Sequence, residues 1–160
     1  MARFASKTDV SVEQSRAEIE TTVRKYGADS FISGWAEDKA MVQFRAHGRF
    51  VKFIMTLPKR EDKAFTEYTL GKHFAQVHQR APDAAYKLYE QACRQRWRAL
   101  LLLVKAKLEA VESGITEFEE EFLAHVVMPD GRTVYEMARA PIAIAYETGQ
   151  VQSLLEGPKQ

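Results

Sequence analysis

The chain has 160 residues, and its 23 lysines and arginines nearly balance its 22 aspartates and glutamates, which gives a formal net charge of +1. This length predicts one domain over residues 1–160, and the balanced charge excludes a chain-wide attraction for nucleic acid. The single cysteine, Cys93, excludes a disulfide within the chain and indicates a reducing, cytoplasmic setting. The longest apolar run, residues 99–104, is too short to cross a membrane, so we expect no membrane partner.

The N-terminal part of the chain predicts a loose arm and then a helix. Residues 1–10 are expected to form the arm. Ser11 and Gln14 fit a capping box, in which the serine side chain accepts a hydrogen bond from a free backbone N–H of the first turn. Gly27 is the expected end of this helix, because glycine readily adopts the left-handed conformation.

A β region follows, with strands predicted over residues 30–37, 40–46 and 49–57. Phe31 and Trp35 share one face of the first strand. A two-residue turn at residues 47–48 fixes the pairing of the other two strands, and it places Phe44 opposite Val51 on the face toward the core. The opposite face combines basic, aromatic and aliphatic side chains: Met41, Gln43, Arg45, Phe50, Lys52 and Ile54.

The connection over residues 58–82 has weak periodicity and is basic at both ends. A connection of this length is uncommon unless it has a function or is mobile. A short helix around residues 72–79 is one interpretation of its second half.

One long helix is predicted from Asp83 to Ser113, and its core stripe collects Tyr86, Cys93, Trp97, Leu100, Leu101, Val104, Leu108 and Val111. A second, separate face is also apolar and small: Leu88, Ala92, Ala99, Leu103, Ala106 and Ala110. A surface helix needs only one apolar stripe, so the second face predicts a homo-oligomer that associates through this helix. The alternative is that the other helices and the sheet cover both faces within one subunit.

Two further capping boxes are predicted near the C-terminus, and they pair Thr116 with Glu119 and Thr133 with Glu136. Pro141 is expected to kink or split the last helix, which ends at Gly149. Residues 150–160 are expected to be a frayed tail. The order of elements predicts an α+β domain: a small three-stranded antiparallel sheet with an N-terminal helix, one long central helix and two short C-terminal helices.

Three runs of the sequence are distinctive: SRAEIETTVRKYGADSF, QACRQRWRALLLLVKAKLEAVESGITEFEEEFLAH and MPDGRTV. With them, most of the chain resembles a group of uncharacterised small proteins from tailed phages and prophages. The resemblance implies a viral or prophage origin and a location in the host cytoplasm. It implies no cofactor and no site residue, and it suggests phage DNA metabolism or interference with host systems as contexts.

The residues that most often carry catalysis or bind metals form no recognisable set. His73 and His78 lack the partners of a zinc site, and Cys93 stands alone on the core stripe, which suggests a buried thiol. The glutamates of residues 117–121 point in different directions around the start of a helix, so they do not converge on a metal. The positive end of the helix dipole stabilises their negative charges there. We therefore expect no catalytic residue, no cofactor and no metal site.

The basic residues give the best indication of function. We expect a non-enzymatic protein that binds DNA or RNA as a homo-oligomer, with phosphate contacts from lysines and arginines and base stacking on Phe50. The expected nucleic-acid-binding residues are Arg45, Phe50, Lys52, Lys87, Arg94, Arg98 and Lys105. Two alternatives stay open: Arg94 and Arg98 pair with glutamates from the end of the chain, or the sheet face with Met41, Phe50 and Ile54 binds a protein of the host or phage.

Overall fold

The structure is a computed structural model that describes residues 4–5, 7–71, 75–151 and 153. Its elements are α1 (Val12–Lys25), β1 (Ser30–Ala36), β2 (Lys39–Ala46), β3 (Arg49–Thr56), α2 (Lys63–Thr66), β4 (Glu67–Leu70), β5 (Gln76–Gln79), α3 (Pro82–Glu112), α4 (Phe118–Phe122), a 3₁₀ turn (Leu123–His125) and α5 (Val134–Thr148). The predicted α+β class, with its three-stranded antiparallel sheet and long central helix, is confirmed. Most of the predicted tail, residues 150–160, lies outside the described residues.

The main sheet has the order β1-β2-β3, and both of its pairings are antiparallel. The turn between β2 and β3 consists of His47 (φ 50°) and Gly48 (φ 72°), two left-handed residues that match the twist of a tight hairpin. The predicted register is confirmed, because Phe44 pairs with Val51 and Arg45 pairs with Phe50.

The core lies between one face of this sheet and the helices α1, α3 and α4. The fully buried side chains include Ile19, Val42, Phe44, Val51, Leu101, Val104 and Phe122. Phe122 packs edge-on against Phe44 and Phe53, with ring centroids 5.9 and 6.3 Å apart. Such edge-to-face contacts are favourable beyond the area they bury, so α4 holds the sheet at its hairpin end.

The connection after β3 differs from its prediction. It contains the short helix α2 and a separate two-stranded ribbon, in which Glu67 pairs with Gln79 and Leu70 with Gln76. The helix suggested around residues 72–79 is therefore wrong over residues 76–79, and residues 72–74, which include His73, lie outside the described residues. The ribbon strands are short and mostly exposed, so alternation of apolar residues gives little signal for them.

The three predicted capping boxes have different outcomes in the structure. At α5, the Thr133 side chain accepts from the Glu136 backbone while the Glu136 side chain accepts from the Thr133 backbone, as predicted. At α4, the prediction is wrong: the helix begins at Phe118 without a side-chain cap, and the Thr116 hydroxyl instead lies 3.1 Å from the Glu120 carboxylate. At α1, the Ser11 side chain accepts from the Gln14 backbone as predicted, but the Gln14 side chain donates to Glu18, so only half of the predicted box is present.

Two other predictions for the helices are corrected. Helix α5 continues unbroken through Pro141, so the predicted split is wrong, whereas its end at Gly149 (φ 72°) is as predicted. On α3, the middle of the core stripe is buried as predicted, but Tyr86 is exposed and Cys93 is only half-buried. The second apolar face of α3 is exposed at Leu88, Ala99, Leu103 and Ala106.

In the described part of the chain, no helix combines the length and apolar character needed to span a membrane.

Candidate nucleic-acid interface

The seven predicted binding residues lie on two different surfaces. Arg45, Phe50 and Lys52 lie together on the outer face of the sheet, as the register predicts. The Arg45 guanidinium stands 5.6 Å from the centroid of the Phe50 ring and donates to Asp29 over 2.7 Å. The Lys52 ammonium donates to the Gly131 carbonyl over 2.9 Å. Arg45 and Lys52 therefore both have partners within the fold.

The other four predicted residues lie on α3, and one of them is structural. Arg98 donates to Glu18 of α1 over 2.8 Å, and the two side chains are only 21% and 34% exposed. The alternative that Arg98 pairs with glutamates from the end of the chain is therefore wrong, since its partner comes from the N-terminal helix. Lys87 and Lys105 are exposed. Arg94 donates to Gln91 and lines a cleft.

This cleft, of about 450 Å³, lies between α1, β1 and the first half of α3. Its wall is unusually rich in aromatic and arginine side chains: Arg16, Trp35, Arg60, Tyr86, Tyr89, Arg94 and Trp97. Trp97 forms part of the core and is 2% exposed, whereas Trp35 at the rim is 71% exposed. The cleft therefore joins a rigid floor to a rim that is open to solvent.

Arginine planes lie against the aromatic rings of the cleft. The Arg60 guanidinium is 5.0 Å from the ring centroid of Tyr86 and 5.3 Å from that of Tyr89. The Arg16 guanidinium is 5.7 Å from the Trp97 ring and donates to the side chain and carbonyl of Ser33. Arg16 is thereby fixed to β1, while Arg60 comes from the exposed segment before α2.

The charge of the cleft is mixed. Its three arginines are matched by three glutamates on its wall: Glu13, Glu37 and Glu90. A ligand would therefore meet arginines individually rather than a broad positive field. Lys87 lies seven residues before Arg94 on α3, so the two cations lie on nearly the same side of the helix, two turns apart.

The half-buried thiol in the cleft is poorly suited to nucleophilic chemistry. Burial raises the pKa of Cys93, which keeps the thiol protonated near neutral pH. A hydrogen bond with Cys93 is in turn the main cause that raises the pKa of Tyr89. Elsewhere, burial lowers the pKa of His125. Its ring stacks on the ring of Phe53, on the core side of β3, with the two ring centroids 4.1 Å apart.

Across the described ranges, no group of three or more histidine, cysteine, aspartate or glutamate residues could hold a metal ion. Comparisons of this chain with models of protein families, with curated proteins and with solved structures find no match. The resemblance to proteins of tailed phages therefore stays a prediction.

Sequence reasoning missed most of the cleft. Trp35 was expected on the same face as Phe31, and the register agrees, but its place beside Tyr86 depends on how α3 crosses β1. Tyr86 was assigned to the core stripe because its spacing fits. The sequence signal for the cleft is Arg60, which lies in a basic segment. That segment ends shortly before Tyr86 and Tyr89 of α3, so an arginine beside these tyrosines was possible.

Proposed function

We propose that this protein is a non-enzymatic binder of single-stranded nucleic acid, and that the cleft between α1, β1 and α3 holds its unpaired bases. The observation that carries this proposal is the open aromatic rim of the cleft, where Trp35 is 71% exposed and Tyr86 lies under Arg60. Proteins that bind single strands combine exposed aromatic rings, on which bases stack, with cations that contact the phosphates.

The cleft supports single strands better than duplexes. Stacking requires the face of a base, and a base in a duplex has both faces covered by its neighbours. A cleft of about 450 Å³ is large enough for one or two bases and too small to enclose a double helix. Arg94 lines the cleft, and the exposed Lys87 lies two turns before it on nearly the same side of α3, so we expect both to contact phosphates of the strand.

From the few cations in and near the cleft, we expect a weak dependence of the binding constant on salt concentration. If Arg60, Lys87 and Arg94 each contact one phosphate, the logarithm of the binding constant falls with the logarithm of the salt concentration with a slope of about −2. Affinity at physiological salt then comes mainly from stacking. The outer face of the sheet is not needed for this mode of binding.

The test is a fluorescence-anisotropy titration of the intact protein with labelled single-stranded and double-stranded DNA and RNA of equal length, at low and at physiological salt. We expect single strands to bind more tightly than duplexes. Replacing Trp35 with Ala should weaken single-strand binding about 5- to 100-fold, because one stacked base is lost.

Ile32→Ala is the matched control, since Ile32 is an exposed apolar residue of the same strand but lies on the opposite face. We expect it to leave affinity unchanged. The proposal fails if the protein binds no nucleic acid at low salt. It also fails if Trp35→Ala and Ile32→Ala bind as tightly as the wild type.

A second candidate function is protein binding through the outer face of the sheet. Phe50 is 41% exposed there, and Ile32 and Ile54 are more exposed still. Met41 pairs with Ile54 and with Gly34, so these side chains form one surface across the three strands. A pull-down from nuclease-treated host lysate tests this candidate: a stoichiometric partner lost in Ile54→Asp supports it.

A further inference from the structure

Helix α5 lacks the packing that a helix of its kind requires. It has 15 residues and contains Pro141, and only Ala138 along its length is buried. Proline in a helix interior costs about 3 kcal/mol, and an isolated helix of this length is marginal in water. Its main support within the described part of the chain is the 3₁₀ turn before it. The helix therefore needs a further partner.

Three large exposed residues lie along one side of α5, and we call them the α5 stripe: Tyr135, Ile142 and Tyr146. The spacing of seven and four residues places them on one side of the helix. Tyr146 is 90% exposed. Arg139, four residues after Tyr135 and three before Ile142, lies on the same side of the helix. Tyrosine and arginine are the residue types that most often dominate the energy of protein interfaces.

A complementary surface lies on the second half of α3, and we call it the outer face of α3: Ala99, Leu102, Leu103, Ala106 and Ala110. Its five side chains are uncharged, and Leu102 and Leu103 are exposed. Glu109, seven residues after Leu102, lies at the edge of this face and accepts a hydrogen bond from the Tyr26 hydroxyl over 2.6 Å. The alanines, at spacings of seven and four, leave room for large side chains of another helix to enter beside the leucines.

The two surfaces match in length, shape and charge. Each covers a span of eleven residue steps along its helix, which is about 16 Å. The α5 stripe presents large side chains, and the outer face of α3 presents mostly small ones. The exposed Lys105 and Glu109 border the outer face of α3, and the exposed Arg139 and Glu147 lie on or beside the α5 stripe, so each surface carries one cation and one carboxylate at its rim. Opposite charges at the rim favour one orientation of the two helices.

We infer that the α5 stripe of one chain packs on the outer face of α3 of a second copy. Both surfaces are present on every chain, so each copy can give one contact and receive another. This is a heterologous, head-to-tail contact, which closes into a ring if its rotation permits and otherwise extends into a filament. The occupant of both surfaces is therefore this same chain, and the inference does not depend on nucleic-acid binding.

The first measurement is the molar mass of the intact chain without nucleic acid, by light scattering after size exclusion over a range of concentrations. We expect a mass that is a multiple of 18.3 kDa. Ile142→Glu and Leu103→Glu should each weaken association at least about 30-fold, as expected for residues central to an interface. Tyr146→Ala is a milder second variant on α5. A wild type of 18.3 kDa at every concentration overturns the inference.

Mixing the two glutamate variants separates this contact from other dimers. The Ile142→Glu chain keeps its outer face of α3, and the Leu103→Glu chain keeps its α5 stripe, so one productive contact remains between them. We expect a 1:1 complex from the mixture, although each variant alone is monomeric. No complex in the mixture, or normal self-association of Ile142→Glu and Tyr146→Ala, overturns the inference.

The matched control is Ile115→Glu, which places the same charge on an apolar residue that is 81% exposed and lies outside both surfaces. It should assemble like the wild type. Circular dichroism of each variant reports whether the fold is kept. If Ile115→Glu also abolishes assembly, the effect is not specific to the two helices and the inference fails.

Discussion

The two tryptophans of this protein line the same cleft and have opposite surroundings. Trp97 on α3 is 2% exposed and belongs to the core, whereas Trp35 at the end of β1 is 71% exposed. Trp97 has its ring packed under Arg16, and Arg16 is hydrogen-bonded to Ser33. Burying a ring of this size contributes to folding, while an exposed ring contributes little to stability and stays available for a ligand.

The same contrast separates the arginines of the molecule. Arg98 is half-buried and paired with Glu18 across the contact between α1 and α3. Arg60 is exposed and stacks on two tyrosines of the cleft. Residue type therefore does not distinguish the supporting side chains from those that can bind. Burial and partners do, and each substitution below tests one side of that division.

The largest expected effect is on stability, from Trp97→Ala. Removing a large buried aromatic side chain costs about 3–5 kcal/mol, through lost burial and the cavity that remains. Chemical denaturation followed by circular dichroism measures this loss. Trp35→Ala is the comparison variant, and it should change the free energy of unfolding by less than about 0.5 kcal/mol. Equal losses in the two variants would contradict the division into core and rim.

The next largest effect is a difference in stability and in nucleic-acid affinity between substitutions of Arg94 and Arg98, which lie one helical turn apart on α3. Arg98→Ala leaves Glu18 half-buried without its partner, so we expect a loss of about 1–3 kcal/mol in the free energy of unfolding. Arg94→Ala should cost little stability but reduce single-strand affinity and make its salt dependence shallower, by about 0.7 in slope. Denaturation and anisotropy titrations on both variants give the comparison. The opposite pattern would make Arg98 the binding residue.

A smaller effect concerns the reactivity of Cys93 in the cleft. Burial raises its pKa, so little thiolate is present near neutral pH. We expect alkylation of the folded protein at pH 7.5 to be several-fold slower than that of the denatured chain, and to accelerate as the pH rises toward and beyond 9. Bound single-stranded DNA should slow it further. Rapid alkylation at neutral pH, unaffected by DNA, would show that the thiol lies outside the binding region.

Local rules account for the parts of the fold that were predicted correctly. The hairpin register followed from a two-residue turn at His47 and Gly48, because a short turn leaves only one pairing for the strands beside it. The Ser11 and Thr133 caps follow from residue types at fixed spacing. The same rule failed at Thr116, where the hydroxyl contacts a different glutamate and the helix begins two residues later.

The cleft was harder to predict, because its residues come from α1, β1, α3 and the segment before α2. Periodicity placed Tyr86 and Trp97 on one stripe of α3, and the stripe is real. Which part of a stripe is covered depends on how far the neighbouring elements extend. Here the sheet and α1 cover Trp97 and leave Tyr86 exposed. The spacing of residues within α3 does not tell where the covered part of the stripe ends.

The smallest expected effect is from Arg45→Ala, which tests whether the sheet face takes part in binding. Arg45 lies five residues along β2 from Ala40, the partner of Trp35, which is about 17 Å at the rise of a β-strand. Substitutions so far apart act independently, so single-strand affinity should stay within about twofold of the wild type. An affinity loss as large as that of Trp35→Ala would move the binding site to the sheet face.

The same variant has a defined dependence on pH. The hydrogen bond from Arg45 holds the pKa of Asp29 below its ordinary value of 3.8. A lowered pKa in the folded state means that the pair stabilises the fold above pH 3.8, and that this contribution is lost as the pH falls through the folded-state pKa. The wild type should therefore melt slightly higher than Arg45→Ala at pH 7, and the difference should shrink as the pH falls below 3.8. Because both side chains are largely exposed, added salt should reduce the difference at pH 7 as well. A difference that does not shrink at all as the pH falls below 3.8 would mean that Arg45 acts through its contact with Phe50 rather than through Asp29.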